Sequence, residues 1–267
     1  MKKALRIVWL ALILMFIYVP ILVLAVYSFT DATMVGGGIS GFSFDNYINL
    51  FKNEELRNMI FGTVLLAVIC AVISTVLATF GAIGTFYSKK IPKALLNTAN
   101  QIPVVNADIV TGFSVCILLI VFLGVSKDTF IPLGIGHIVL TAPFVYLSIL
   151  PKLKQMDNSL YEAALDLGAT PAQALFKVVL PQLIPGILSG FMLAVTLSLD
   201  DYFITTYTKP STFDTISTYV VNATKGSQTE IKTALWALST LIFLIVIVVV
   251  VVMNVLASRK RRAKNEM

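Results

Sequence analysis

Charge is what this 267-residue sequence has least of: Asp, Glu, Lys and Arg make up 13% of it, against roughly 25% in soluble domains. Hydrophobic residues reach 57%, and the mean hydropathy is +0.89. So little charge cannot cover the surface of a water-soluble domain, which excludes soluble enzymes and nucleic-acid binders. Only two cysteines occur, Cys70 and Cys116, both inside apolar runs; they read as small hydrophobes and exclude a disulfide scaffold. A single histidine, His137, excludes a multi-histidine metal site. No Ser-His-Asp triad is expected around it, and it reads as a packing or hydrogen-bonding residue within a span. The phosphate-cradling pattern G-x-x-x-x-G-K-[ST] is also missing, so ATP hydrolysis is not expected of this chain.

What the sequence has instead is long uncharged runs. Those at 7–29, 58–88, 129–151, 178–199 and 233–258 each supply the ~20 residues that a helix needs to cross ~30 Å of hydrocarbon. A sixth, about 103–126, is interrupted only by Asp108. The reading is an all-α membrane protein with six transmembrane helices near 7–29, 59–87, 103–125, 130–151, 183–207 and 233–257. The first run is too long for a signal peptide and lacks a small-x-small cleavage site, so it reads as a retained span.

Six spans put both termini on one side. Of the 20 Lys and Arg residues, those on the side of the termini outnumber those on the other by more than two to one, with Arg259, Lys260, Arg261, Arg262 and Lys264 clustered after the last span. By the positive-inside rule that side is cytoplasmic. The basic tail follows an apolar run directly, so it reads as an orientation anchor and lipid contact, not a nucleic-acid patch. Trp9, Tyr27 and Trp236 sit near expected interfaces, as belt residues do.

One connection is too long and too patterned to be a simple link. Within 152–182, Ser159 and Glu162 have capping-box spacing, Leu160, Ala163, Ala164 and Leu167 share a helical face, and Glu162 and Asp166 share another. Gly168 follows as a helix stop able to take left-handed backbone. Thr170, Pro171 and Gln173 then supply a second capped start. A short helix with a small-residue face and an acidic face suits a partner's groove; a solvated helical hairpin fits the same physics.

The run Glu162-Ala163-Ala164, three residues, Gly168, nine residues, Val178, one residue, Leu180-Pro181 resembles the EAA loop of ABC importer permeases, with Val178 in place of Ile. The resemblance implies a type I (MetI-like) permease, one transmembrane domain over 1–267 with its coupling loop at 152–182. The helix over 160–167 would dock on a separate ATPase subunit through Leu160, Glu162, Ala163, Ala164 and Leu167, with Gly168 as its turn. It further implies a second, similar permease chain, two ATP-binding subunits that hold the ATP and Mg, and an extracytoplasmic binding protein. No cofactor belongs to this chain, and its place is the bacterial inner membrane.

Ionisable groups inside a membrane cost ~2.5–3.5 kcal/mol each on insertion scales, and they mark a pathway or a paired site. Asp108, Asp200 and Asp201 are such groups, and no Lys or Arg lies within the expected spans to neutralise them. A cationic solute would compensate them on its route; local hydrogen bonding is the alternative. Neighbours on a helix point ~100° apart, so only one of Asp200 and Asp201 can face a lumen squarely. The hydroxyls of Ser198 and Thr205 favour Asp201. Against this, Tyr18-Val19-Pro20, Gly41-Phe42-Ser43-Phe44-Asp45-Asn46-Tyr47, Ala107-Asp108-Ile109-Val110 and Ser198-Leu199-Asp200-Asp201 are similar to the second membrane subunit of spermidine/putrescine permeases. That resemblance favours Asp200. Tyr18 and Tyr202 are candidate aromatic faces for ammonium groups, and Ser198 a further pathway residue. Rival readings are the same architecture importing another solute such as iron or a phosphonate, or an ion channel. An intramembrane aspartyl protease would need its acids on different helices in Tyr-Asp and Gly-x-Gly-Asp settings, which are missing. Gly186 and Gly190 form a small-xxx-small pair that either lets helices approach closely or eases a bend after Pro185.

Overall fold

The structure, a computed structural model, describes residues 2–32, 38, 41–157, 159–225, 233–244 and 247. Among them every regular element is helical, and the only strand-like feature is an isolated bridge between Thr30 and Phe42. The chain divides into two compact units, residues 1–58 with 222–267, and residues 59–221.

In the first unit, α1 (Lys2–Ser28) holds a 24-residue apolar span from Leu5 to Ser28 whose most apolar 18-residue window has no buried residue, as befits a helix facing lipid. It is followed by the short α2 (Asp45–Lys52), which buries Asn46 and Leu50. The helix Thr233–Leu244 joins this unit. Its Trp236 ring meets Tyr27 edge-on at 5.8 Å, and Thr240 Oγ1 donates to Ser28 Oγ at 3.2 Å. The sixth expected span, 233–257, is described only as far as this helix; its remainder and the basic tail 259–264 lie outside the described residues.

The second unit takes in most of α3 (Glu54–Tyr87), then α4 (Lys90–Val105), α5 (Asp108–Cys116), α6 (Phe130–Gln155), α7 (Ser159–Asp166), α8 (Pro171–Ala174), α9 (Leu180–Asp200), α10 (Phe203–Thr208) and the start of α11 (Ile216–Lys225). With α1, the helices α3, α6 and the run from Pro171 to Asp200 are long and apolar enough to cross a membrane. The pair α4 and α5, with the π-helical turn Ile117–Phe122 that extends α5, adds a fifth crossing if it is one span.

That pair departs from the expected continuous helix over 103–125. The chain leaves the helix at Asn106 and Ala107, both in extended backbone, and the two halves are bent by 107°. Pro103 lies inside α4 instead of starting a helix, and α4 stops two residues later. Proline deprives the carbonyl four residues back of its donor, so a helix that meets one close to its end is already weakened there. On the far side Asn106 Nδ2 donates to Thr111 Oγ1 at 3.2 Å, across the first turn of α5. Asp108 is thus the first residue of a new helix, not a mid-span residue.

The fifth span also starts earlier and ends sooner than 183–207. From α8 a π-helical turn, Leu175–Val179, leads without a break into α9. Pro181 sits in the first turn of α9, where no intrahelical donor is needed. The second capped start in the loop is therefore the start of the span itself.

The core of this unit is built on small residues. Ala71, Ala78 and Ala82 of α3 and Ala194 of α9 bring backbones close enough for Val145, Ile149, Leu153 and Leu183 to interdigitate. In the same core α6 packs extensively on α9. A Cβ built on Gly190 would lie 2.9 Å from Val145 Cγ1 and 3.2 Å from its Cα, and one on Gly186 would lie 2.9 Å from Lys152 Cγ. The Gly pair therefore serves close approach, which is how helices gain van der Waals energy in lipid without a hydrophobic drive between them. Several buried hydroxyls of the unit find partners within the protein, although Thr75 Oγ1 has none. Thr79, Thr85, Thr141 and Thr208 each donate to the carbonyl four residues earlier at 2.6–2.7 Å, and Ser74 and Thr141 share a 2.6 Å bond across α3 and α6.

Candidate functional site

The site is set by the way α9 ends. Asp200 is its last residue, and Asp201 is extended, with φ −65° and ψ 125°. The Asp201 carboxylate turns back into the protein, where Oδ1 accepts from Ile204 N at 3.2 Å and Oδ2 accepts from both Thr205 N and Thr205 Oγ1 at 2.7 Å. An aspartate ahead of a helix satisfies first-turn donors that the helix cannot, and here it starts α10. Asp201 is 7% exposed, whereas Asp200 is exposed.

His137 of α6 completes this arrangement. Fully buried, it bonds through Nδ1 to Ser198 Oγ at 2.7 Å and through Nε2 to Thr205 Oγ1 at 3.0 Å. Asp201 Oδ2 lies 3.8 Å from Nε2. The expectation of a hydrogen-bonding histidine in this span is met, but the expectation that it joins no Ser-His-Asp grouping is not: Ser198, His137 and Asp201 converge. Their burial and mutual bonding make the group a structural tie between α6, α9 and α10, with Ser198 only 2% exposed.

Asp200 meets Asp108 across the same cavity. This space, of about 260 Å³, is lined by Asp108, Leu140, Phe144, Leu197, Asp200, Asp201, Tyr202 and Phe203. Two exposed acids from two interrupted helices thus face one volume with three aromatic residues around it, and none of these lining residues is basic. Sequence reasoning named Asp108, Asp200, Asp201 and Tyr202 but missed Phe144 and Phe203, which carry no signal that separates them from lipid-facing aromatics. The ~100° argument for choosing between the acids does not apply, because Asp201 is outside the helix. Burial separates the two acids, and Asp200 is the one left exposed. Ser198, expected along a pathway, is instead held by His137. Tyr18 belongs to the first unit, half-exposed on α1, with its ring 6.5 Å from Phe243.

The second feature of the unit is the loop around α7. None of the residues of α7 itself is buried. Tyr161 holds it to the body by packing its ring 5.2 Å from that of Tyr87, which leaves Leu160, Glu162, Ala163 and Leu167 outward; Leu167 is 89% exposed. The end is a Schellman stop: Ala169 N donates to Ala164 O at 3.0 Å and Gly168 N to Leu165 O at 2.9 Å, with Gly168 at φ +84°. The start differs from expectation. Ser159 is already helical and its backbone N–H goes to Asp157 Oδ1 at 3.0 Å, so the capping group precedes it and the box of Ser159 with Glu162 does not form the start. These hydrogen bonds hold the Asp157 carboxyl below the usual aspartate range. The second box is as expected: Gln173 N donates to Thr170 Oγ1 at 3.3 Å and Thr170 N to Gln173 Oε1 at 3.0 Å.

The family of binding-protein-dependent transport system inner membrane components matches residues 78–262, which takes in the acids and the whole loop. The chain belongs to this family. It is a multi-pass membrane protein of the ABC importer permease kind, with the MetI-like architecture. Relatives cover most of it. The putrescine transport system permease protein PotI of Escherichia coli K12 is 32% identical over 247 residues, 89% of this chain and 85% of that one. The spermidine/putrescine transport system permease protein PotC of Haemophilus influenzae is 28% identical over 229 residues, 86% and 88% of the two chains. A PotC homolog of Mycoplasma pneumoniae is 26% identical over 246 residues, 87% and 83%. A transport permease is not an enzyme in its own right.

Proposed function

We propose that this permease forms half of a translocation pathway for polyamines, spermidine or putrescine, and that Asp108 and Asp200 are the groups that meet the ammonium ends of the solute. The observation that carries the reading is the convergence of two exposed carboxylates on one cavity edged by Phe144, Tyr202 and Phe203. A polyamine is a row of ammonium groups on methylene spacers; separated acids match its charges, and aromatic faces match both cations and methylenes. In a low-dielectric setting either acid alone is costly, so a cation that enters is stabilised against both. Anionic solutes such as phosphonates would be repelled. The names of the relatives point to the same class of solute. Tyr202 lines the cavity and Tyr18 is kept as a pathway candidate on the other unit.

Import in this reading is driven from outside the chain. The outward residues of α7, Leu160, Glu162, Ala163 and Leu167, with the half-buried Ala164 beside them, dock in a groove of an ATP-hydrolysing subunit, and the Schellman turn at Gly168 transmits the displacement to the span that begins at Pro171. The complete importer has a second permease chain, two ATPases that bind ATP and Mg, and an extracytoplasmic polyamine-binding protein. The chain acts as a single transmembrane domain in the bacterial inner membrane, with both termini cytoplasmic.

The test is uptake of labelled spermidine and putrescine by the reconstituted importer. Asp200→Asn should lower uptake at least about tenfold, equivalent to ~1.4 kcal/mol, with assembly retained, and Asp108→Asn should act in the same direction. Unlabelled diamines should compete and phosphonates should not. Uptake unaffected by both substitutions, or inhibited by anions, would overturn the polyamine reading. Glu162→Ala should separate ATP hydrolysis from uptake; normal uptake in that variant would remove α7 from the coupling role.

A further inference from the structure

Helix α2 is pinned to the end of a membrane span. Asn46, 5% exposed, donates through Nδ2 to the carbonyls of Ser28 at 3.2 Å and Thr30 at 3.0 Å. Tyr47 OH and Ser28 Oγ are 3.0 Å apart, and Ser43 N donates to Phe29 O at 2.9 Å beside the bridge from Thr30 to Phe42. These bonds hold the start of α2 at the last turn of α1, so the helix lies where hydrocarbon gives way to water.

Its residues fall into three sectors. Asn46, bonded to the end of α1, and Leu50 are buried, and Asp45, Asn49 and Lys52 are exposed and polar. Phe44, Ile48 and Phe51, four and three residues apart and so on one helical face, are exposed at 53%, 45% and 60%. Phe42, 72% exposed, extends this stripe, its ring edge-on to Phe44 at 4.9 Å and stacked on Phe29 at 5.9 Å. Phe29 follows directly on α1, so the stripe continues the lipid-facing surface of the span. An apolar face that large is unstable in water, and a helix with separate apolar and polar faces at the bilayer edge settles with the apolar face among acyl chains and the polar face among headgroups.

We infer that α2 is an interfacial helix whose Phe42, Phe44, Ile48 and Phe51 stripe is embedded in the lipid leaflet at the end of α1, with Lys52 reaching to the headgroups. Embedded in this way, α2 fixes how far α1 can slide along the membrane normal. The inference does not depend on the solute.

The test uses the full importer in lipid nanodiscs, on a background with Cys70→Ala and Cys116→Ala. Single cysteines replace Phe44, Asp45, Ile48, Asn49 and Phe51 in turn and carry nitroxide labels. Relaxation by oxygen, which concentrates in lipid, is compared with relaxation by a water-soluble nickel chelate. The ratio should be several-fold higher at 44, 48 and 51 than at 45 and 49, with helical periodicity. A ratio that is low at all five positions would overturn the inference, as would protection of 48 and 51 from both reagents, which marks a protein partner on the stripe. As a second measurement with little disturbance of packing, Phe51→Trp with Trp9→Phe and Trp236→Phe should be quenched by brominated lipid; a fluorescence insensitive to bromine would also count against it.

Discussion

At 106–107 the chain leaves its helix before the acid, and Asp108 opens α5 exposed to the cavity; at 201–202 it leaves after the acid, and the next residue, Asp201, turns inward. The two breaks are made with different materials. Asn106 makes a single side-chain bond across the first, to Thr111, while the second is held by three bonds to one carboxylate and two more to His137. The difference teaches how a membrane protein can hold an acid exposed at its fifth span: a second acid beside it, fully bonded, keeps the backbone in place. A carboxyl group is tolerated at the buried position because hydrogen-bond donors surround it.

The comparison breaks most clearly if the buried acid proves dispensable. Asp201→Ala leaves two backbone N–H groups and a hydroxyl without their acceptor in a buried site, which costs about 2–4 kcal/mol. The thermal midpoint of the purified importer should fall by several degrees, while Asp200→Ala should change stability by no more than about 0.5 kcal/mol. Equal midpoints for the two variants would mean that burial does not separate their roles. His137→Ala removes the tie from α6 and should cost about 1–3 kcal/mol, since Ser198 and Thr205 each lose a partner; His137→Gln, which can still bond a hydroxyl, should recover part of that loss.

Smaller effects sharpen the comparison on the loop side. Gly168→Ala places a Cβ at φ +84° and should cost about 1 kcal/mol, seen as faster amide exchange at the end of α7. Thr170→Ala should cost about 1 kcal/mol through loss of its box, and Ser159→Ala less than half as much, because Asp157 is the acceptor for the first N–H. Acid should act on the same cap. A carboxyl held below its usual value stabilises the folded loop at neutral pH, down through its ordinary range near ~3.9. That contribution is lost as pH falls through the lower folded-state value. Amide exchange at Ser159 should therefore remain protected at pH 5 and lose protection only in stronger acid, and Asp157→Asn should remove most of this dependence.

Much of this was legible in the residues. Runs of ~20 uncharged residues announce spans because a bilayer demands internally bonded backbone, and the capped start at Thr170 with the stop at Gly168 were readable because caps are local chemistry. The bend at Asn106 was hidden because Pro103, three residues earlier, is the louder signal, and proline near a helix end can stand inside it. The ending of α9 was hidden too. The hydroxyls of Ser198 and Thr205 did single out Asp201, but as an acid facing a lumen, whereas Thr205 bonds it in a new helix; the partner that makes the bend rigid, His137, is 61 residues from Ser198 and 68 from Thr205.

Composition and local pattern alone determined that this is a membrane-spanning helical protein with a patterned loop, since solvent exposure of backbone and side chain leaves few alternatives to a chain with so little charge; that it is a permease rests on the likeness of that loop to a known family. Which of two adjacent aspartates is exposed, and that Asp108 meets it across one cavity, was decided only in three dimensions. The physical reason is that burial and hydrogen-bond partners belong to the neighbours a residue acquires on folding, and here those neighbours come from helices distant in sequence.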